Sequence, residues 1–247
     1  VLEKMEGIII KTQDYGETHK LVTIFSGKIG KFTAIAKGAK KPKSRMAAVA
    51  QPFIHGEFLV YVNSGLSTIQ QGDVVNSFRA IREDIIKTAY AAYLAELTDK
   101  LLDSKDTEPY LYKQLYQTFQ WIAENENTDI PVMIYELKLF VKGGFAPVVN
   151  HCVNCGLNEP PFSFSITEGG LLCEKCTHID NNSIVLPNKI AKLFYLFMSV
   201  GLERIGKISL KRENIQLLRQ IIDEYYDRYG GYYLKSKKFL KQLDKIM

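Results

Sequence analysis

Hydrophobic and polar positions alternate with a period of two over roughly the first 80 residues and then recur every three to four residues towards the end of the chain. Residues 5–11, 20–25, 31–36, 53–62 and 67–75 are rich in Ile, Val, Phe and Tyr, and turn residues separate them: Asp14-Tyr15-Gly16, Ser26-Gly27 and Asn63-Ser64-Gly65. Such runs read as short strands. Five of them fit a small closed barrel of the oligonucleotide-binding (OB) type, and an SH3-like barrel has the same periodicity.

From Arg82 the period is helical. Ile86, Tyr90, Tyr93, Leu97 and Leu101 share one face after acidic Glu83 and Asp84, which suit the positive end of a helix dipole. Thr107 is placed to cap a second helix bearing Tyr112, Leu115, Phe119 and Ile122, and Asp129 to cap a third over residues 130–141. That third helix is apolar nearly all round, so it belongs at the centre of a bundle, and Gly143-Gly144 ends it.

Beyond residue 180, Pro187 opens a helix with Ile190, Leu193, Phe194, Phe197 and Met198, which Gly201 closes. Another carries Ile215, Leu218, Ile222, Tyr225 and Tyr229 as far as Gly230-Gly231. The tail, residues 234–247, reads as an amphipathic helix with Lys235, Lys237, Lys238, Lys241 and Lys245 opposite Phe239, Leu243 and Ile246. The expected architecture is α+β: a barrel domain over 1–80, then a helical domain over 81–247 interrupted at about 150–180.

That interruption holds all four cysteines, as Cys152-Val153-Asn154-Cys155 and Cys173-Glu174-Lys175-Cys176. Two Cys-x-x-Cys knuckles at this separation suit four thiolates closing on one structural zinc, with Gly156 permitting the positive φ of a tight turn. Two disulfides, a redox pair or unrelated buried thiols are the other readings. The start, Val1-Leu2-Glu3-Lys4, has no signal-peptide pattern, and no apolar run approaches a membrane span, so a reducing cytoplasm is expected. There the metal is favoured over disulfides.

The formal net charge of +5 is unevenly placed. Residues 1–80 carry 11 Lys+Arg against 6 Asp+Glu, residues 81–150 carry 7 against 11, and residues 151–247 carry 14 against 10. Within the barrel, Lys28, Lys31, Lys37, Lys40, Lys41, Lys43 and Arg45 follow one another with no acidic residue between. The last five sit in a stretch broken by Gly38 and Pro42, suited to tracking a phosphate backbone. A solvated loop is the plain alternative. Lys235, Lys237 and Lys238 form a second, smaller basic group.

Three resemblances to catalytic or clamping motifs fail on mechanism. Gly30-Lys31 lacks the first glycine of a P-loop, because position 25 is Phe, and Phe32 replaces the magnesium-ligating hydroxyl. Gly27-Lys28-Ile29-Gly30 has the form of a KH clamp, but strand-like runs rather than helices flank it, so it reads as a hairpin turn. His55-Gly56-Glu57 resembles a deaminase signature, yet four cysteines leave zinc no open position for water.

Together these residues resemble the bacterial recombination mediator family RecO. The likeness rests on Gly7-Ile8-Ile9-Ile10-Lys11-Thr12, Asp14-Tyr15-Gly16-Glu17, the run from Ala36 to Arg45 and Gln51-Pro52-Phe53. It continues in Tyr135-Glu136-Leu137-Lys138-Leu139, Phe145-Ala146-Pro147, His151-Cys152-Val153-Asn154-Cys155-Gly156 and Leu234-Lys235-Ser236. The resemblance implies an OB domain, a helical domain with an inserted zinc knuckle, single-stranded DNA binding and strand annealing without nucleotide hydrolysis. It also implies the partners SSB, through its acidic C-terminal tail, and RecR, and indirectly the recombinase RecA. An RNA-binding or transcription-associated OB and zinc-ribbon module has the same residue-level features, and the 2′-hydroxyl is what separates the two.

Overall fold

The structure, a computed structural model, describes residues 1–206 and 208–243. The chain divides into two compact units, one formed by Val1–Thr128 with the segment from Leu234, the other by Asp129–Tyr233.

In the first unit, five strands close a barrel in the order β1-β2-β3-β5-β4: β1 (Leu2–Tyr15), β2 (His19–Ser26), β3 (Gly30–Ala36), β4 (His55–Tyr61) and β5 (Ser67–Asn76). Closure depends on the length of β1. Its first half pairs with β4, from Leu2 opposite Tyr61 to Ile8 opposite His55, and its second half with β2, ending at Tyr15 opposite His19. A register shift between Ile9 and Lys11 bends the strand so that it serves both neighbours. The parallel contact of β3 with β5 completes the ring.

Alternation follows the pleat. In β3, Gly30, Phe32, Ala34 and Ala36 are buried and the residues between them are half-buried. Met5, Ile9, Val22, Ile24, Phe32, Phe58, Val60 and Ile69 form the barrel interior. Gly30 has φ +81°, and a Cβ there would stand 2.1 Å from the Asp106 carbonyl oxygen, so only glycine fits the start of β3. A short helix absent from the sequence reading, α1 (Arg45–Val49), begins at the last cation of the basic stretch and buries Val49.

Helices α2 (Arg79–Glu83), α3 (Ile85–Leu101) and α4 (Pro109–Glu124) pack in the same unit. Edge-to-face pairs join them to the barrel: Phe25 with Tyr112 at 5.8 Å between centroids, and Phe53 with Phe119 at 5.6 Å. The change of periodicity near residue 80 therefore marks a change of secondary structure inside one unit. Asp84 caps α3, its carboxylate accepting from the N–H groups of Ile86 and Lys87 at 2.8 and 2.9 Å. Asp84→Ala is expected to cost about 1 kcal/mol, read as a lower denaturation midpoint at unchanged slope. Asp84→Asn should keep most of that stability, and equal loss in both variants would refute the capping role. Thr107 is not the cap of α4; Glu108 holds that position because Pro109 occupies the first helical residue, where its fixed φ and missing N–H are no penalty.

The last described helix, α8 (Lys235–Leu243), packs on α3. Its face differs from the sequence expectation: Lys237 is buried, Phe239 is 41% exposed, and Lys245 and Ile246 lie outside the described residues. Leu234 is buried and Lys237 follows it at helical spacing, so the aliphatic stem of a lysine occupies the packed row. The Glu96 carboxylate fixes the start of α8 by accepting from the Lys235 and Ser236 N–H groups at 3.2 and 2.9 Å.

The second unit is built on α5 (Asp129–Lys142), in which every residue from Ile130 to Phe140 is buried. A four-stranded sheet of order β6-β8-β7-β9 follows: β6 (Val148–Cys152), β7 (Phe162–Ser165), β8 (Gly170–Cys173) and β9 (Ile184–Leu186). Helices α6 (Asn188–Ser199) and α7 (Arg212–Tyr229) pack on α5. Two charged side chains on α5 hold them. Glu136, fully buried, pairs with Arg219 of α7 at 2.5 Å, and the Lys138 ammonium donates to the carbonyls of Phe197, Met198 and Val200 at the end of α6. Burial brings the Lys138 pKa down to about 8, with Glu203 opposing the shift.

Candidate metal centre and nucleic-acid interface

The four cysteines, distant in pairs along the sequence, meet because β6 and β8 run side by side. Cys152 ends β6, opposite Leu171 in the parallel register, and Cys173 ends β8. Each strand then turns sharply. Gly156, at φ +77°, donates its N–H to the Cys152 carbonyl at 2.9 Å and swings Cys155 back, while the 3-10 turn Glu174–Ile179 does the same for Cys176.

The four Sγ atoms all lie within 4.8 Å of one another, with Cys155 and Cys173 3.7 Å apart. Sulfurs held at about 2.3 Å from a tetrahedral zinc stand about 3.8 Å from each other. A disulfide would need about 2.05 Å, and all four thiols are free. The donor set fits zinc, and four protein ligands fill its tetrahedron, which is the arrangement of a structural rather than a catalytic site.

The surroundings divide the four thiols, holding Cys152 below the usual cysteine value and Cys155, Cys173 and Cys176 above it. Burial pushes the Cys152 thiol up, but N–H donors of Cys155, Cys173 and Asn154 outweigh it and bring the pKa down to about 6. The Asn154 side-chain amide also donates to the Cys176 sulfur at 3.4 Å. Asn154 was not singled out in the sequence; its place between the first two cysteines is the signal that marks it.

The cations of the barrel divide into two sets. Lys28 pairs with Glu3 at 2.7 Å, Lys31 with Asp99 of α3 at 3.4 Å, and Lys40 with Asp14 at 2.9 Å. Local sequence shows no anion among these lysines, yet the fold brings one to each. The Lys31 side chain is only 14% exposed. Lys37, Lys41, Lys43 and Arg45 are exposed, and among the described residues no ion pair reaches them. Their loop is held at its base: the Lys40 N–H donates to the Thr18 carbonyl at 3.0 Å and the Gly38 N–H to His19 Nδ1 at 2.9 Å. Hydrogen bonding to Lys40, with its charge, holds the Asp14 carboxyl below the usual carboxylate range.

Phe32, Phe53 and Phe58 are all buried in the core, so none offers a face to a base. In the tail, Lys235 and Lys238 are exposed and Lys237 is buried.

Two family models match the chain, Recombination protein O N terminal over residues 2–78 and Recombination protein O C terminal over residues 82–238. The chain belongs to the RecO family. A DNA repair protein RecO of Oceanobacillus iheyensis is 63% identical to it over 244 residues, which cover 99% of this chain and 95% of that protein. One of Bacillus cereus is 44% identical over 246 residues, covering 100% and 99%. DNA repair and recombination is the setting of this RecO-family chain, and its barrel and four-cysteine cluster are the OB domain and cysteine knuckle that the resemblance implied. No helix among the described residues is long and apolar enough to cross a membrane.

Proposed function

We propose that this RecO-family protein is a recombination mediator that binds single-stranded DNA on its barrel, anneals complementary strands without hydrolysing nucleotide and helps RecA load on SSB-covered DNA. The supporting observation is the exposed set Lys37, Lys41, Lys43 and Arg45, anchored at the end of an OB-type barrel in a RecO-family chain. Cations held at the base of a loop but free at their tips follow a phosphate backbone at little ordering cost. The partners assigned are SSB, through its acidic C-terminal tail, and RecR, in the bacterial cytoplasm at the nucleoid. One zinc per chain, held by Cys152, Cys155, Cys173 and Cys176, is assigned a structural role, joining the ends of β6 and β8.

Annealing assays test this directly. Purified protein is expected to anneal complementary oligonucleotides in buffer without nucleotide, at a rate that ATP does not change. In competition at equal sequence, single-stranded DNA should displace a labelled DNA strand better than RNA does. A strict ATP requirement, or preference for RNA, would refute the mediator reading, the second outcome moving the protein to RNA metabolism.

A further inference from the structure

Resting on the DNA-binding reading above, we propose that Tyr15 is the platform on which a base of the bound single strand stacks. Strand-tracking sites combine cations for the phosphates with an exposed aromatic face for the bases. Among the aromatic residues of the five barrel strands, Phe25, Phe32 and Phe58 are buried, whereas Tyr15 and Tyr61 are 44% and 50% exposed.

Only one of these two tyrosines stands where the basic loop is fastened. Tyr15 closes β1 opposite His19, and residues paired across two strands present their side chains on the same face. The His19 ring accepts the Gly38 N–H at 2.9 Å, so the loop begins beside Tyr15. On either side, the Thr18 carbonyl accepts from the Lys40 N–H and the Asp14 carboxylate pairs with the Lys40 ammonium. That pair neutralises one of the two acids nearest Tyr15 in the sequence, and Glu17, in the turn, is the other. Lys37, Lys41 and Lys43 stand against it. Tyr61 instead pairs with Leu2 and Thr68, and no hydrogen bond or ion pair among the described residues ties it to the loop. Tyr15 is 44% exposed at the end of a hairpin, and the basic loop is fastened to residues on both sides of it, Asp14 on one and Thr18 and His19 on the other.

The test compares Tyr15→Ala, Tyr15→Phe and Tyr61→Ala for binding to a short single strand and to an oligomer of the same length and charge with abasic sites. Tyr15→Ala is expected to weaken binding to the normal strand by roughly five- to a hundredfold with an unchanged salt slope, while Tyr15→Phe stays near wild type. The penalty that wild type suffers on the abasic oligomer should vanish in Tyr15→Ala and persist in Tyr61→Ala. Tyr15→Ala binding as wild type, with the full salt slope, would overturn the stacking role and leave the phosphate reading standing. A wild-type protein with no salt-dependent affinity for single strands would overturn both. Thermal melts confirm that each variant is folded, as expected for exposed side chains.

Discussion

Cys173→Ser is expected to lower the melting temperature of the unit that contains it by roughly 10 °C or more and to abolish stoichiometric zinc. Cys173 is buried at the end of β8, and β8 pairs with both β6 and β7. A serine hydroxyl reaches less far than a thiolate and stays neutral at this pH, so zinc would lose one of four ligands and one of its negative charges. Structural zinc contributes folding free energy outright, because the unfolded chain offers no preformed site. Even a loss of about 2 kcal/mol moves the midpoint by roughly 8–16 °C for a unit of this size. The unit keeps the hydrophobic packing of α5, so the sheet end should melt first while the helices persist. Chelator should reproduce the shift in wild type and add nothing to the variant. Metal analysis finding no zinc in protein made under reducing, zinc-replete conditions, or equal melting of both proteins, would refute the site.

The parts of this fold that show in the sequence are those whose signal is local. Strands β1 to β5 are bounded by turn residues and rich in β-branched and aromatic residues, with β3 alternating in burial throughout, so their positions follow from pattern, as do α3, α4, α5 and α7. Strands β7 and β8 are only four residues long and buried at every position, which erases alternation, and the sheet they form was invisible. The cysteine spacing still marked the place, because metal geometry constrains ligand spacing whatever the surrounding structure.

Charge behaves differently, since a cation's partner need not be near in sequence. Lys31 finds Asp99 across 68 residues, and Lys28 finds Glu3 on a neighbouring stretch of β1. Counting lysines along the chain therefore overstates the free positive charge of the barrel. The same limit applies to α8, where the packed row takes Lys237 and leaves Phe239 half out, because which face is covered depends on α3 and not on the helix's own apolar stripe. Of the ten lysines and arginines in the barrel run and the tail group, the structure leaves Lys37, Lys41, Lys43, Arg45, Lys235 and Lys238 both exposed and, at their side chains, without an ion pair among the described residues.

Replacing Lys37, Lys41 and Lys43 by Glu should consequently weaken single-strand binding more than any change to the paired lysines. If the three unpaired lysines of the loop and Arg45 at the start of α1 each neutralise one phosphate of a single strand, they contribute about −2.8 to the slope of log K against log salt. Removing three of them should shrink that slope by about 2 and lower affinity for every sequence alike, since phosphate contacts carry no base information. Lys40 is best left in place: a glutamate there would face Asp14, now deprived of its partner, and loosen the base of the loop rather than report on DNA. Stability should be nearly untouched by the triple variant, because all three side chains are exposed and surface substitutions of this kind stay within about 0.5 kcal/mol. Lys235→Glu with Lys238→Glu provides the competing test. If the tail carries the strand, that pair will reduce the salt slope and the loop variant will not. A folded triple variant with unchanged affinity and slope would remove the loop from the interface, whereas loss in the loop variant alone assigns the strand to the end of the barrel where β1, β2 and the basic loop meet.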